Sequence, residues 1–264
     1  VMKDLFPEER KRFILDQLKL KQKVQVTSLA EQFSVTSETI RRDLDQLEKD
    51  SLIKRVYGGA VLSSYQHGEP SLNNRKSILE QEKKLIGKKA AEFIKDGTTL
   101  VIDIGTTMLE LARHIKNKEN VTILTNSLPV SSILLDSLNR HEFSGQVILL
   151  GGELNIKQHS ITGKITEMVL ENFIIDQAFI SAGGMSLQNG ISDYDLSESM
   201  ISKSMIKASK EIFVLADHSK IGVDAFCKIC RLDEVDAIVC NNLLPQAWHG
   251  HEGLRNVDWI VANE

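Results

Sequence analysis

Val35-Thr36-Ser37-Glu38-Thr39-Ile40-Arg41-Arg42-Asp43-Leu44 is the stretch on which the reading of this chain turns. Thr36 and Ser37 are residues that start helices, because their hydroxyls accept a free backbone N–H of the first turn. From there Ile40, Leu44 and Leu47 recur at helical spacing, which predicts a helix from 36 or 37 to about 49 with one apolar stripe. On a wheel of 100° per residue that stripe centres near Ile40. Arg42 projects almost opposite, flanked by Glu38, Thr39 and Gln46, and Arg41 points sideways. Hydroxyls at a helix start followed by two arginines suit a helix entering a DNA major groove, where Arg chelates guanine edges or clamps phosphates.

Working outward, Phe13, Ile14, Leu15 and Leu18 predict a helix beginning near Glu8, just after Pro7. A second, short helix is expected over 27–33, started by Thr27 or by Ser28 with Glu31 at capping-box spacing. Ser34-Val35 makes the tight turn into the third helix. Residues 52–56 then read as a strand, and Tyr57-Gly58-Gly59-Ala60 turns back on itself. Two helices, a tight turn and a basic hairpin make a helix-turn-helix with a wing, with Lys54 and Arg55 placed along the DNA backbone. The read-out residues are Ser37, Thr39, Arg41, Arg42, Gln46, Lys54, Arg55 and Tyr57.

Val35 to Leu44, closed by Arg55-Val56-Tyr57-Gly58-Gly59-Ala60, resembles the winged helix-turn-helix of the DeoR-type family of bacterial regulators. The resemblance implies that the first string is a recognition helix and the second its wing, and that the partner is a double-stranded DNA operator.

Charge agrees once it is divided. The chain has 264 residues and a net charge of −4, which taken whole argues against a nucleic-acid binder. Residues 1–60 carry 12 Lys and Arg against 10 Asp and Glu, a balance of +2, which leaves −6 for the remainder. Ser, Gly, Pro and Asn cluster after this head, so the chain divides into a DNA-binding domain over 1–61, a linker over 62–78 and a larger domain over 79–264. No apolar run is long enough to span a membrane. The first 19 residues lack the basic-then-apolar layout of a signal peptide, and three cysteines are too few for a disulfide framework. A cytoplasmic protein is expected.

Beyond residue 80, apolar strands alternate with amphipathic helices. Strands are expected at 98–104, 121–125, 147–150, 178–181, 212–216, 237–240 and 259–262, and helices at 84–94, 107–115, 130–138, 162–173 and 197–209. This is an α/β domain with a mostly parallel sheet, whose ligands bind at the carboxyl ends of the strands. Polar groups gather at those ends. Asp103-Ile104-Gly105-Thr106-Thr107 leaves a strand and opens a helix, where free N–H groups, the helix dipole and two hydroxyls favour a phosphate. Thr125-Asn126-Ser127 offers bonds to sugar hydroxyls. Gly152, Gly183 and Gly184 lie at further strand ends, and Lys220 in Asp217-His218-Ser219-Lys220 supplies a cation. No Walker A or G-x-G-x-x-G string is present, so neither ATP nor a dinucleotide is expected.

This second part is similar to the sensor domain of the same family through Asp103 to Thr107, Thr125 to Ser127, Leu150-Gly151-Gly152, Asp176 to Ile180 and Asp217 to Lys220. The likeness implies a fold related to sugar-phosphate isomerases and a phosphorylated sugar as effector. It makes Gly105, Thr106 and Thr107 the phosphate cradle and Asp103, Asn126 and Lys220 polar ligands. Cys240-Asn241 departs from the family's usual Thr-Asp.

Isomerisation needs a base to remove a carbon-bound proton, usually a carboxylate. The loop Ser181-Ala182-Gly183-Gly184-Met185 has none, so binding without turnover is expected. Asp193, Asp195 and Glu198 follow downstream; they either line the pocket, as Asp193 is taken to do, or start a helix at Ser197. Cys227 and Cys230 have C-x-x-C spacing but read as a strand, on which positions i and i+3 face apart. Neither metal nor cofactor is expected. The reading is a repressor of a sugar-catabolic operon acting as a dimer or tetramer. Its rivals are an isomerase fused to a DNA-binding head and an activator with the same contacts.

Overall fold

The computed structural model describes residues 6–21, 23–50, 52–56, 58–62 and 71–263, and for residues 19–21, 23, 54, 56, 61 and 62 the backbone alone. The chain divides into two units, Val1–Pro70 and Ser71–Glu264.

The first unit runs α1 (Pro7–Lys21), β1 (Lys23–Gln25), α2 (Val26–Phe33), α3 (Ser37–Lys49), β2 (Ile53–Val56) and β3 (Gly59–Leu62). Ile14 and Leu18 from α1, Leu29 and Phe33 from α2, and Ile40, Leu44 and Leu47 from α3 form its core, as the periodicity predicts. Thr36 caps α3, its hydroxyl accepting the Thr39 N–H at 3.2 Å. Ser34 takes the left-handed conformation that ends α2, at φ 56°.

One local expectation fails. The helix α2 starts at Val26, behind Gln25, and neither Thr27 nor Ser28 caps it. The cause is β1, a strand without any sequence pattern of its own. It pairs antiparallel with β3, Val24 opposite Ala60 and Gln25 opposite Gly59, in a sheet of order β1-β3-β2. The chain leaves that strand straight into the helix, with the Val26 N–H bonded to the Gly58 carbonyl at 2.9 Å. The glycine pair follows from the same contact. Gly58 sits at φ +73°, and a Cβ on Gly59 would lie 2.0 Å from the Val24 carbonyl oxygen.

The second unit opens with α4 (Leu72–Arg75) and α5 (Glu80–Ala91), then β4 (Thr99–Ile102), α6 (Thr106–His114), β5 (Val121–Thr125), α7 (Leu128–Asn139) and β6 (Gly145–Leu149). A hairpin of β7 (Glu153–Asn155) and β8 (Ser160–Thr162) precedes α8 (Lys164–Leu170) and β9 (Ile175–Ser181). The chain continues through β10 (Gly184–Ser186), β11 (Gly190–Asp193), α9 (Leu196–Ala208), β12 (Ser209–Leu215), β13 (Cys227–Cys230), β14 (Ala237–Cys240) and β15 (Asp258–Val261). Seven of these strands make one sheet of order β15-β14-β12-β9-β4-β5-β6. Every pairing in it is parallel.

Its inner strands are buried on both faces, as a helix-covered parallel sheet requires. Along β4, Leu100 and Ile102 enter one core and Val101 the other; along β9, Phe179 faces the first and Ala178 and Ile180 the second. The connections run outward from β4 in one direction and from β9 in the other. The carboxyl ends of β4 and β9 are therefore the switch point of the sheet, where open α/β folds bind ligands.

The linker expected over 62–78 is in part built into this unit. Residues 63–70 lie outside the described residues, but α4 is docked: the Leu72 N–H donates to the Lys157 carbonyl at 3.2 Å, and Arg75 Nη2 donates to Gln158 Oε1 at 2.7 Å. Polar composition marks this stretch as surface, and surface is where a capped single-turn helix sits.

Candidate functional site

In the first unit, α3 turns its polar face outward. The side chain of Arg42 is 81% exposed, and Arg41 and Arg42 each approach Glu38, at 3.5 and 3.9 Å. Gln46 is exposed and donates to Asp50 Oδ1 at 3.1 Å. Ser37 and Thr39 are half-buried, and the Thr39 hydroxyl lies 3.0 Å from that of Thr36. Arg55 is not spread along a wing. Its guanidinium is paired with Asp45 and donates to the Arg41 carbonyl at 3.3 Å, while its N–H donates to Glu48 Oε1 at 2.6 Å. It fastens β2 to α3. Lys54 lies on β2 with its side chain outside the described residues, and Tyr57 lies outside them altogether.

Beneath the exposed arginines is a pair with no local sequence signal. Arg10 of α1 grips Asp43 of α3 at two points, Nε to Oδ2 at 2.5 Å and Nη2 to Oδ1 at 3.1 Å. Both residues are 6% exposed. The aspartate directly after the two arginines thus holds the recognition helix to the first helix.

In the second unit, Asp103 and the start of α6 lie at the switch point, and the other candidates lie along the neighbouring strands and loops. Asp103 follows β4 and is buried. Its Oδ1 accepts the Ile104 N–H at 2.8 Å, and its Oδ2 accepts the Ser202 hydroxyl at 2.9 Å and both the N–H and hydroxyl of Ser181 at 3.2 Å. Four bonds converge on this carboxylate, three of them on Oδ2, and through them Asp103 braces the two central strands. Burial pushes its pKa up to about 6 against those bonds.

Gly105 then takes φ +119°, which an L side chain rarely adopts, and delivers the buried Thr106 and Thr107 as the first residues of α6. Beside Thr106 lies a cavity of about 240 Å³ to which Lys76, Lys83 and Arg113 contribute cations and Glu80 and Glu110 carboxylates. Lys83 is buried, with its ammonium donating to the carbonyls of Arg75 at 2.9 Å and Ile78 at 2.5 Å. Its position in a run of charged residues gave no sign of this.

Thr125, Asn126 and Ser127 are buried at the end of β5. Two of them are occupied locally: Thr125 Oγ1 accepts the Ser127 N–H at 3.1 Å, and the Ser127 hydroxyl caps α7 through the Val130 N–H at 3.4 Å. Asn126 Nδ2 donates to the Ile161 carbonyl at 3.0 Å, and its Oδ1 has no protein partner. Gly152, Gly183 and Gly184 sit where a Cβ would press on Thr166, Asp193 and Val223 respectively, so close packing accounts for all three.

Downstream, the acids divide. Asp195 is a helix cap, its Oδ1 accepting the N–H groups of Ser197 at 2.8 Å and Glu198 at 3.1 Å. Asp193 folds its Oδ1 back onto the N–H groups of Tyr194 and Asp195. Glu198 points inward. Its Oε1 accepts the Ser160 hydroxyl and Asn155 Nδ2, the latter at 2.9 Å, and its Oε2 has no protein partner. Burial, opposed by Ser160 and reinforced by the nearby carboxylates Asp103, Asp195 and Asp193, pushes its pKa up to about 8.

Lys220 ends a 3-10 turn, His218–Lys220, that follows β12. Burial would raise the pKa of Asp217, but Lys220, Ser219 and Lys83 together hold it below the usual value. Asn241 finds its use here. Its Oδ1 accepts the His218 N–H at 2.8 Å and its Nδ2 lies 2.9 Å from His218 Nδ1, tying the end of β14 to the Lys220 loop. Cys227 and Cys230 lie on β13 as expected, and burial pushes the Cys230 thiol up to about 12.

Comparison with known proteins places both units. Residues 10–66 match the DeoR-like helix-turn-helix domain and residues 79–242 the DeoR C terminal sensor domain. The chain belongs to the DeoR family of transcriptional regulators. It is 32% identical over 260 residues to the HTH-type transcriptional repressor GlcR of Bacillus subtilis, covering 98% of each protein. It is 34% identical over 230 residues to the glycerol-3-phosphate regulon repressor of Escherichia coli, covering 87% of this chain and 89% of that one. Among solved structures, a ribose 5-phosphate isomerase from Methanocaldococcus jannaschii aligns over 54% of this chain and 55% of its own, at 16% identity and a TM-score of 0.38. That likeness is too distant to carry an argument. The full-length relatives are regulators, which places this DeoR-family chain with non-enzymes. No helix among the described residues is long and apolar enough to cross a membrane.

Proposed function

We propose that this chain is a cytoplasmic repressor of a sugar-catabolic operon, and that a phosphorylated sugar, bound without turnover, weakens its hold on DNA. Operator binding is by a dimer or tetramer, with two recognition helices set about one helical turn apart. Ser37, Thr39, Arg42 and Gln46 face the bases. Phosphate contacts are assigned to Arg41, Lys54 and Tyr57, and Arg55 positions the wing through Asp45. In the sensor unit the phosphate rests on the N–H groups and hydroxyls of Thr106 and Thr107. Lys83 and Lys220 supply compensating charge, and Asn126 meets the sugar.

The observation that carries this reading is the polar network at the β4–β9 switch point, which joins Asp103, Ser181 and Ser202 just before the glycine-opened helix α6. Such a crossing suits a small polar ligand, and the effector shifts DNA affinity only by binding the DNA-competent and incompetent arrangements unequally. A thermal-shift screen of phosphorylated sugars tests it. A ligand at 100 times its Kd adds about 2.7 kcal/mol of stability. A flat response across the panel contradicts the effector assignment.

A further inference from the structure

Glu198 Oε2 and Asn126 Oδ1 are fully buried oxygen atoms without a protein partner. Their residues are sealed, Glu198 at 2% exposure and Asn126 at 0%. The remaining polar side-chain atom of each is used: Glu198 Oε1 by Ser160 and Asn155, and Asn126 Nδ2 by the Ile161 carbonyl. A buried polar group left unmatched costs about 1–3 kcal/mol, so two of them in one cluster call for an explanation.

Strand β8 brings the two together. Ser160 bonds Glu198, and the next residue, Ile161, pairs with Asn126 through its N–H at 2.8 Å and through its carbonyl. Ser202 lies one turn beyond Glu198 on the same face of α9, where side chains at i and i+4 are neighbours. Its hydroxyl reaches Asp103, from which the chain runs directly into Gly105-Thr106-Thr107. Hydrogen bonds thus lead from the unmatched pair to Asp103, and the chain leads from Asp103 to the phosphate cradle.

We infer that Glu198 and Asn126 are the hydroxyl-reading end of the effector site, so that the ligand is a phosphorylated polyhydroxy compound with one hydroxyl bridging Glu198 Oε2 and Asn126 Oδ1. This rests on the phosphosugar reading above and adds to it the residue that separates a sugar phosphate from phosphate alone. An amide oxygen only accepts, so the hydroxyl donates to Asn126; its oxygen then accepts from Glu198 in the carboxylic acid form. The charged groups bearing on Glu198 are Asp103 after β4, Asp193 on β11 and Asp195 at the α9 cap, all acidic. They favour the protonated form at neutral pH, and with it the donor that the hydroxyl needs.

The test is isothermal titration of the full chain with inorganic phosphate, glycerol 3-phosphate, ribose 5-phosphate, glucose 6-phosphate and fructose 6-phosphate at pH 7 and pH 9. The wild type should prefer one sugar phosphate over inorganic phosphate by about tenfold or more, the worth of one buried hydrogen bond. That preference should shrink at pH 9. Glu198→Leu should lower it about tenfold at pH 7 while leaving affinity for inorganic phosphate unchanged. Glu198→Gln, which keeps a neutral donor, should retain the preference and show no loss at pH 9. If the leucine variant does not fold, the glutamine variant decides: a pH 9 loss equal to the wild type's overturns the assignment. A folded leucine variant with full preference overturns it as well. Binding of inorganic phosphate with no sugar phosphate preferred overturns this inference but leaves the anion site standing. Binding of neither overturns the effector reading on which it rests.

Discussion

The two units of this DeoR-family chain place their polar groups in opposite ways. In the helix-turn-helix unit the groups proposed to meet DNA are outside: Arg41, Arg42 and Gln46 project from α3, and a buried ion pair, Arg10 with Asp43, holds the scaffold. In the sensor unit the groups proposed to meet the ligand are inside, with Thr106, Asn126 and Glu198 all buried. The difference matches the partners. A DNA duplex is a long polyanion read by a surface, and affinity comes largely from phosphate contacts. A small ligand must be enclosed, so its recognition atoms have to be stored in a core.

The largest expected effect strikes the scaffold of the first unit. Asp43→Ala takes from the buried Arg10 guanidinium both of its bonds to that carboxylate, which costs about 3–5 kcal/mol. Chemical denaturation should lose stability by that amount in the helix-turn-helix transition, and operator binding should vanish. Ligand-induced stabilisation of the sensor unit should be unchanged.

The second probes the buried acid of the sensor unit. The folded-state pKa of Glu198, about 8, is above its value in the unfolded chain, near 4.5. The folded protein then holds a proton that the unfolded chain releases, so stability falls as pH rises between those two values and the penalty is complete above the higher one. Each unit of difference is worth about 1.4 kcal/mol, for a total of a few kcal/mol. Glu198→Gln should remove most of this slope. Melting curves of both proteins from pH 5 to pH 9 measure it, and parallel curves would contradict the buried-acid description.

Much of this division was legible in the sequence, and the exceptions share a cause. The stripe Ile40, Leu44, Leu47, the Thr36 cap, the parallel strands and the Gly105 turn are local patterns, set by spacing or by a single residue's backbone preference. The Arg10–Asp43 and Arg55–Asp45 pairs join distant segments, and nothing local marks them. The strand β1 has no pattern because its pairing with β3 alone makes it a strand, and that pairing also displaced the expected start of α2. Ser197 and Glu198 have the local look of a helix start, which is what Asp195 provides. Only the fold, by laying β8 against α9, turns Glu198 from a first-turn acid into a buried one.

Arg42→Ala comes next in size. Loss of a base contact should cost about 1–3 kcal/mol and relax specificity at one operator position, with the sensor unit unaffected. Anisotropy titrations against the operator and its single-base variants check this, and a uniform loss across all sequences would make Arg42 a backbone contact instead. The smallest effect belongs to the α3 cap. Thr36→Ala should cost about 1 kcal/mol of stability in the first unit alone.

The central claim is that a ligand enclosed by the sensor unit controls what the surface of the other unit holds. Titrating the operator-bound full chain with the tightest sugar phosphate of the panel, while assaying the same solution for any isomerised product, tests it most directly. The expected result is an operator affinity at least about tenfold weaker, within the usual range of allosteric coupling, with the sugar phosphate recovered unchanged. An operator affinity that stays constant at saturating ligand, or a ligand converted to its isomer, would contradict the account.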